Sequence, residues 1–192
     1  MRAGLRRSAR VSATAATGAP LTDTAGGNLA SVSGVLEHWN AHDVEGVLSF
    51  YDPEICWHNR PLEETYRGHA EVAGFLRALF AAFPDLEFEV GKRVVRGDDV
   101  AETWVIRGAH LGTFLGVPAT GARVEIHGMS MIEMRDGRFL RDDFCFDAAA
   151  VMRQLGLLPS LDAARGRVGR TALRVLVGVR RCLGGPRRWR RE

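Results

Sequence analysis

The ten residues from Arg138 to Asp147, RFLRDDFCFD, carry strand spacing and carboxylates together. Alternate side chains of a strand face the same way. Phe139, Arg141, Asp143, Cys145 and Asp147 therefore share one face, and Leu140, Asp142, Phe144 and Phe146 share the other. Unpaired acids turned into an interior are costly, so if the first face is internal, Asp143 and Asp147 form a site. A carboxyl in an apolar cavity, with a second carboxyl two pleats away, is pushed toward neutrality and can take and return a proton without a cofactor. Asp147, just before Ala148-Ala149-Ala150, is equally placed to cap a helix, and the two roles are compatible.

Histidine supplies the next candidates. His58 can orient a substrate oxygen or shuttle protons, or serve as a structural residue bonded to a nearby backbone group. His110 and Trp104 share a strand face at the mouth of the apolar loop from Leu111 to Gly121, which holds Phe114 and reads as a pocket rim. His38, His42 and His69 sit at helix surfaces and ends. No histidine has a neighbour at metal-ligand spacing, so neither a metal nor a cofactor is expected.

The elements that must position these groups follow from periodicity. Ordered structure is expected from Asn28, as the cap of a helix with Leu29, Val32, Val35, Leu36 and Trp39 on one stripe. Asp43 caps a short second helix, stopped by Asp52-Pro53. Glu54 to Arg60 reads as a strand with Ile55, Trp57 and Asn59 on one face and Cys56, His58 and Arg60 on the other, and a third helix covers His69 to Phe83. Strands follow at Leu86–Val95, Val100–His110, Val124–Met134 and Arg138–Asp147, before a closing helix from Ala148 to Leu155. Helices first and antiparallel strands afterwards predict an α+β fold, a curved sheet wrapped on a few helices.

Asp136-Gly137 is the strongest hairpin signal. As a two-residue loop it pairs Met134 with Phe139, Ile132 with Arg141, Ser130 with Asp143, Gly128 with Cys145 and Ile126 with Asp147. The opposite face, with His127, Met129, Met131, Leu140, Phe144 and Phe146, is just as apolar. One sheet with helices on one side has a single internal face, so the other is expected to meet a second copy in a homodimer.

At 192 residues with 46% hydrophobic content, the chain suits one domain with segments to spare. Residues 1–30 carry 4 basic and 1 acidic group, residues 31–160 carry 12 and 20, and residues 161–192 carry 10 and 2. The folded part is thus acidic, and the basic charge belongs to the ends. Residues 1–27 read as a disordered basic leader, and 160–192 as a basic extension. That extension has the pattern of an amphipathic helix ending in an Arg-rich run around Trp189, suited to weak contact with an anionic membrane or with nucleic acid. Cys56, Cys145 and Cys182 are too few and too scattered for a disulfide framework, which makes a reducing cytoplasm the default.

From about Asn28 to Pro159 the sequence resembles the SnoaL-like polyketide cyclases, within the wider group similar to nuclear transport factor two. The resemblance rests on Asn40-Ala41-His42-Asp43, Tyr51-Asp52-Pro53, Phe83-Pro84-Asp85-Leu86, Gly97-Asp98-Asp99-Val100, Gly108 to Gly121, Asp136-Gly137-Arg138-Phe139, Phe146-Asp147 and Gln154 to Pro159, in that order. It implies a cone-shaped antiparallel sheet closed by about three N-terminal helices around an apolar pocket, with the Asp143/Asp147 face inside and the Met/Phe face at a dimer contact. It also implies Asp147 as acid/base, and His58 in the pocket where similar ketosteroid isomerases carry a carboxylate. At Asp143 the chain departs from its relatives, which usually have an aromatic residue or histidine.

The expected activity is ring closure by intramolecular aldol addition, or a related proton transfer, on an apolar carbonyl-containing small molecule. Asp147, His58 and Asp143 would carry the chemistry, and Trp104, His110, Phe114, Ser130 and Cys145 would line the site. The competing classes are a non-catalytic binding module on the same fold and an epoxide hydrolase-like enzyme. The latter needs an arginine bridging two acids, for which Arg141 lies on the wrong side of Asp143.

Overall fold

The structure is a computed structural model that describes residues 23–160 together with 162, 166, 169–171, 174, 175, 178 and 179. The leader up to residue 22, and most of the basic extension with its apolar stripe and Trp189, lie outside the described residues. The elements run in the order α1 (Asp23–Asn40), α2 (Val44–Ser49), β1 (Tyr51–Asn59), β2 (Glu64–Arg67), α3 (Gly68–Ala82), β3 (Glu87–Arg96), β4 (Asp99–Ala109), β5 (Arg123–Arg135), β6 (Arg138–Phe146) and α4 (Ala148–Gln154).

The six strands form one curved sheet in the order β2-β1-β6-β5-β4-β3. All neighbours pair antiparallel except β1 and β6, which are parallel. The helices pack on the inner face. Trp39 of α1 meets Phe88 at 5.1 Å and Trp57 at 6.1 Å, and Phe75 of α3 meets Trp57 at 5.2 Å. Among the described residues no helix is long and apolar enough to cross a membrane.

Two local expectations change. α1 begins at Asp23, so Asn28 lies within the helix rather than capping it. Its buried amide instead donates to the Gly97 carbonyl at 3.0 Å and to Asp98 at 3.2 Å, tying α1 to the β3–β4 turn. The short strand β2, which is four residues long and follows a 3-10 turn, carried no periodic signal of its own.

The consequential change lies in β6. Met134 pairs with Phe139 as the Asp136-Gly137 turn requires, but Glu133 then pairs with Arg141 and Ile132 with Asp142. Leu140 is therefore an extra residue in β6, a bulge, and beyond it every side chain changes faces. The inner face keeps Ile126, Gly128, Ser130 and Ile132 from β5 as expected, but receives Asp142, Phe144 and Phe146 from β6. Asp143 and Cys145 go to the outer face.

Candidate active site

Between the inner face of the sheet, α1 and α3 lies a cavity of about 420 Å³. Its walls are mostly apolar, including Trp57, Phe75, Phe83, Phe88, Phe114 and Phe144. Five side-chain atoms among the described residues are buried without a hydrogen-bond partner: Trp57 Nε1, both polar atoms of the Asn59 amide, His110 Nε2 and Asp142 Oδ1. All belong to residues lining this cavity. A buried polar atom without a partner is unfavourable by about 1–3 kcal/mol, so their convergence on one space marks it as a site.

Asp142 is the dominant group. It is 6% exposed, and its carboxyl is pushed up to about 8. Burial is the main cause, opposed by a hydrogen bond with the Ser130 hydroxyl, and the charges of Glu102 and Asp143 raise it further. The acid is thus mostly protonated at pH 7 and titrates close to it. Ser130 is held in turn, because Trp104 Nε1 donates to its Oγ at 3.1 Å. Gly128 permits this arrangement: a Cβ there would lie 2.1 Å from the Trp104 ring, so the indole can cross it toward Ser130 only because no side chain intervenes.

Glu102 on β4 faces the same cavity. Burial pushes its carboxyl up, while Arg93 of β3, 2.7 Å away, pulls it back. Arg93 also donates to the Val32 carbonyl and to Ser33 Oγ, both at 2.9 Å, which anchors α1 to the sheet. Tyr51 completes the polar surround. Burial and the nearby Asp142 charge raise its phenol, so it stays protonated.

His110, 1% exposed, stacks on Phe83 with ring centres 5.1 Å apart. The Thr120 backbone N–H donates to its Nδ1 at 3.3 Å, which assigns the ring proton to Nε2, the atom without a partner. His110 therefore presents a hydrogen-bond donor to the cavity. Replacing it with Phe keeps the stacking and deletes the donor. We expect His110→Phe to weaken a ligand that places an oxygen there about tenfold, within the roughly 0.5–1.5 kcal/mol of one neutral hydrogen bond. Isothermal titration checks this, and unchanged affinity would show that His110 only packs.

The structure gathers Trp104, His110, Phe114 and Ser130 around the cavity, as expected, and sends the other expected residues elsewhere. Asp143 lies on the outer face beside His58, whose Nδ1 is 3.0 Å from its Oδ1, and beside Arg60. His58 is on that face too, because it alternates with Trp57 and Asn59, which face inward. Cys145 is exposed. Asp147 is the N-cap of α4, accepting from the Ala150 backbone N–H at 2.9 Å, with its side chain 64% exposed. The capping geometry turns this carboxylate away from the cavity.

His127 is on the outer face, 2.8 Å from Glu125. Arg141 is there as well, 3.3 Å from Glu133. Asp142, Glu102, Tyr51, Asn59 and Trp57 are the polar residues that the sequence did not place in the site. For Asn59 and Trp57 the signal was present, since they share a face with Ile55. For Asp142 it depended on the bulge. Among the described residues no group of three or more His, Cys, Asp or Glu side chains is arranged to hold a metal ion.

The model of the SnoaL-like polyketide cyclase family matches residues 32–155. Solved structures share the fold. One assigned as a SnoaL-like polyketide cyclase from Jannaschia sp. CCS1 superposes with a TM-score of 0.65 at 24% identity, covering 74% of this chain and 100% of its own. AclR from Streptomyces galilaeus, assigned as a hydroxylase, gives 0.64 at 24% identity over 81% and 94%. IdmH from Streptomyces antibioticus, assigned as a polyketide cyclase, gives 0.58 at 29% identity over 67% and 98%. No curated protein matches the chain.

Proposed function

The chain belongs to the SnoaL-like polyketide cyclase family, and from that premise we propose that its cavity binds a largely apolar molecule bearing carbonyl groups and catalyses proton transfer at carbon, leading to aldol ring closure. The observation that carries this reading is the set of unpartnered polar atoms around one buried acid in an apolar space.

Asp142 is the acid/base of this proposal. Its ionised form takes a proton from the carbon next to a carbonyl. Asn59 Nδ2–H, Trp57 Nε1–H and His110 Nε2–H are the free donors available to the enolate oxygen that develops. The enolate carbon then bonds to a second carbonyl carbon, and the new alkoxide takes the proton back from Asp142. Protons and charge balance within the molecule, and no cofactor enters the scheme. A group titrating near the working pH is the efficient choice for such a double role.

The test is isotope exchange. Linear and cyclic 1,3-dicarbonyl compounds incubated with the protein in D2O should lose their α-proton NMR signals faster than in buffer alone. A ligand that binds the cavity and shows no protein-dependent exchange would favour a non-catalytic binding module. Epoxide hydrolysis gains no support from the arginines: Arg93 engages Glu102, Val32 and Ser33, and Arg141 is outside.

The homodimer belongs to the same reading. Met129 and Met131 are 56% and 57% exposed on the outer face of β5, an unusual use of large apolar side chains unless a partner covers them. We expect a dimer in sedimentation equilibrium, and Met131→Glu should shift it to monomer. A wild-type monomer at micromolar concentration would refute this.

A further inference from the structure

The outer side of the β1–β6 seam carries a second set of reactive groups, back to back with the cavity. Cys56 and His58 alternate on β1, and His58 is the cross-strand partner of Asp143 on β6. Cys56 Sγ lies 3.3 Å from His58 Nε2, and His58 Nδ1 lies 3.0 Å from Asp143 Oδ1. This is the geometry of a thiol, a base and a carboxylate that orients the base. Arg67 of β2 donates to the same sulfur at 3.3 Å. Cys56 is partly accessible, the His58 side chain is 22% exposed, and the Asp143 side chain is 37% exposed.

We propose that Cys56 is a nucleophilic thiol activated by His58 and Asp143, and that it forms mixed disulfides with small anionic disulfides. The charged groups around it are Glu54 and His58 on its own strand, Arg60 in the 3-10 turn that follows it, Arg67 on β2, and Arg141 and Asp143 on β6. Glu54 is engaged by Arg135 at 2.7 Å. Asp143 is taken up by His58 and Arg60. Arg67 and Arg141 are the cross-strand neighbours of Cys56 on either side, so the approach to the sulfur is cationic.

In the reaction the Cys56 proton passes to His58 Nε2, and the thiolate attacks one sulfur of the incoming disulfide. The S–S bond breaks as the new one forms, and the released thiolate takes the proton from His58. One disulfide and one thiol become one mixed disulfide and one small thiol, with no further oxidant. Asp143 acts through His58, as a positioning residue. The site lies two strands from Met129 and Met131, toward the β2 edge of the sheet.

Cys145, exposed on the same outer face, is the internal reference. The full-length protein is treated at pH 7 with oxidised glutathione, which is anionic, or with cystamine, which is cationic, and each cysteine is followed by peptide mass spectrometry. Cys56 is expected to react at least tenfold faster than Cys145 with oxidised glutathione, and to lose most of that preference with cystamine. His58→Asn should bring Cys56 to within about twofold of Cys145 and leave the Cys145 rate unchanged, which also shows that the fold is retained. Asp143→Asn should slow Cys56 at pH 7 and make its rate climb more steeply with pH, as for an unassisted thiol. Equal rates for the two cysteines in the wild type, or a Cys56 rate indifferent to His58→Asn, overturn the proposal. A preference for cystamine overturns the assignment of an anionic partner.

Discussion

Asp142→Asn should abolish proton transfer and at the same time stabilise the protein in alkaline solution. The side chains are nearly isosteric, and the amide keeps a hydrogen bond with Ser130, but it can neither take nor return a proton. The loss of α-proton exchange is expected at about 10²–10⁴-fold, the usual contribution of a positioned acid/base. The stability effect follows from linkage. The carboxyl is pushed from its ordinary value of 3.8 up to about 8, so between those limits the folded state holds a proton that the unfolded state has released.

Stability therefore falls as the pH rises from about 4 to about 8, and below that window the acid imposes no penalty. The full penalty, reached above pH 8, is on the order of 6 kcal/mol, since each step of one in pKa between the two states is worth about 1.36 kcal/mol. Urea denaturation of wild type and Asp142→Asn should give curves that are close together at about pH 4 and well separated by about pH 9, with the variant the more stable. Parallel pH profiles would show that the carboxyl is solvated in the folded state. Exchange that survives in the variant would remove Asp142 from the chemistry.

Arg93→Met, behind the cavity residue Glu102, should be strongly destabilising. It leaves Glu102 without its cation at a position where the side chain is 7% exposed, and it cuts two of the bonds that hold α1 to β3. Removing one partner of a buried ion pair destabilises by about 3–5 kcal/mol. Burial already raises the Glu102 carboxyl with Arg93 present. Without the cation it rises further, so the loss should be greatest at high pH and shrink as Glu102 protonates on acidification. Adding Glu102→Leu should recover much of the stability, because an apolar pair avoids the buried charge. If the double variant is no more stable than Arg93→Met, the anchoring of α1 rather than the uncompensated charge is the main term.

Much of this arrangement was written in the residues. The stripes Val32/Val35/Trp39 and Val72/Phe75/Leu76 placed two helices, and the inner face of β1 followed from the alternation of Ile55, Trp57 and Asn59. The Asp136-Gly137 turn set the first rung of the final hairpin correctly. What could not be read was Leu140. A bulge depends on how β6 fits between two strands at once, and its register shifts against both β1 and β5. With Asp142 and Asp143 adjacent, an error of one residue exchanges the acid in the cavity for the one on the surface. Asp147 failed for another reason: capping and catalysis ask for the same residue type at the same place, and only geometry separates them.

The position of β6 has a consequence for how the protein comes into being. One of its partners is made long before it: β1 ends at Asn59, whereas β5 immediately precedes β6 in sequence and pairs on its other side. On the ribosome, β1–β2 with its helices and the β3–β4–β5 meander emerge first, and each waits with the edge that β6 will cover still open. Only the last central strand joins them, by contacts that span more than eighty residues. Such late, long-range closure is slow, and the two waiting edges are open to other chains in the interval. The same closing event brings Asp142 beside Trp57, so every molecule that has passed this vulnerable step also has its candidate site assembled, and no earlier intermediate does.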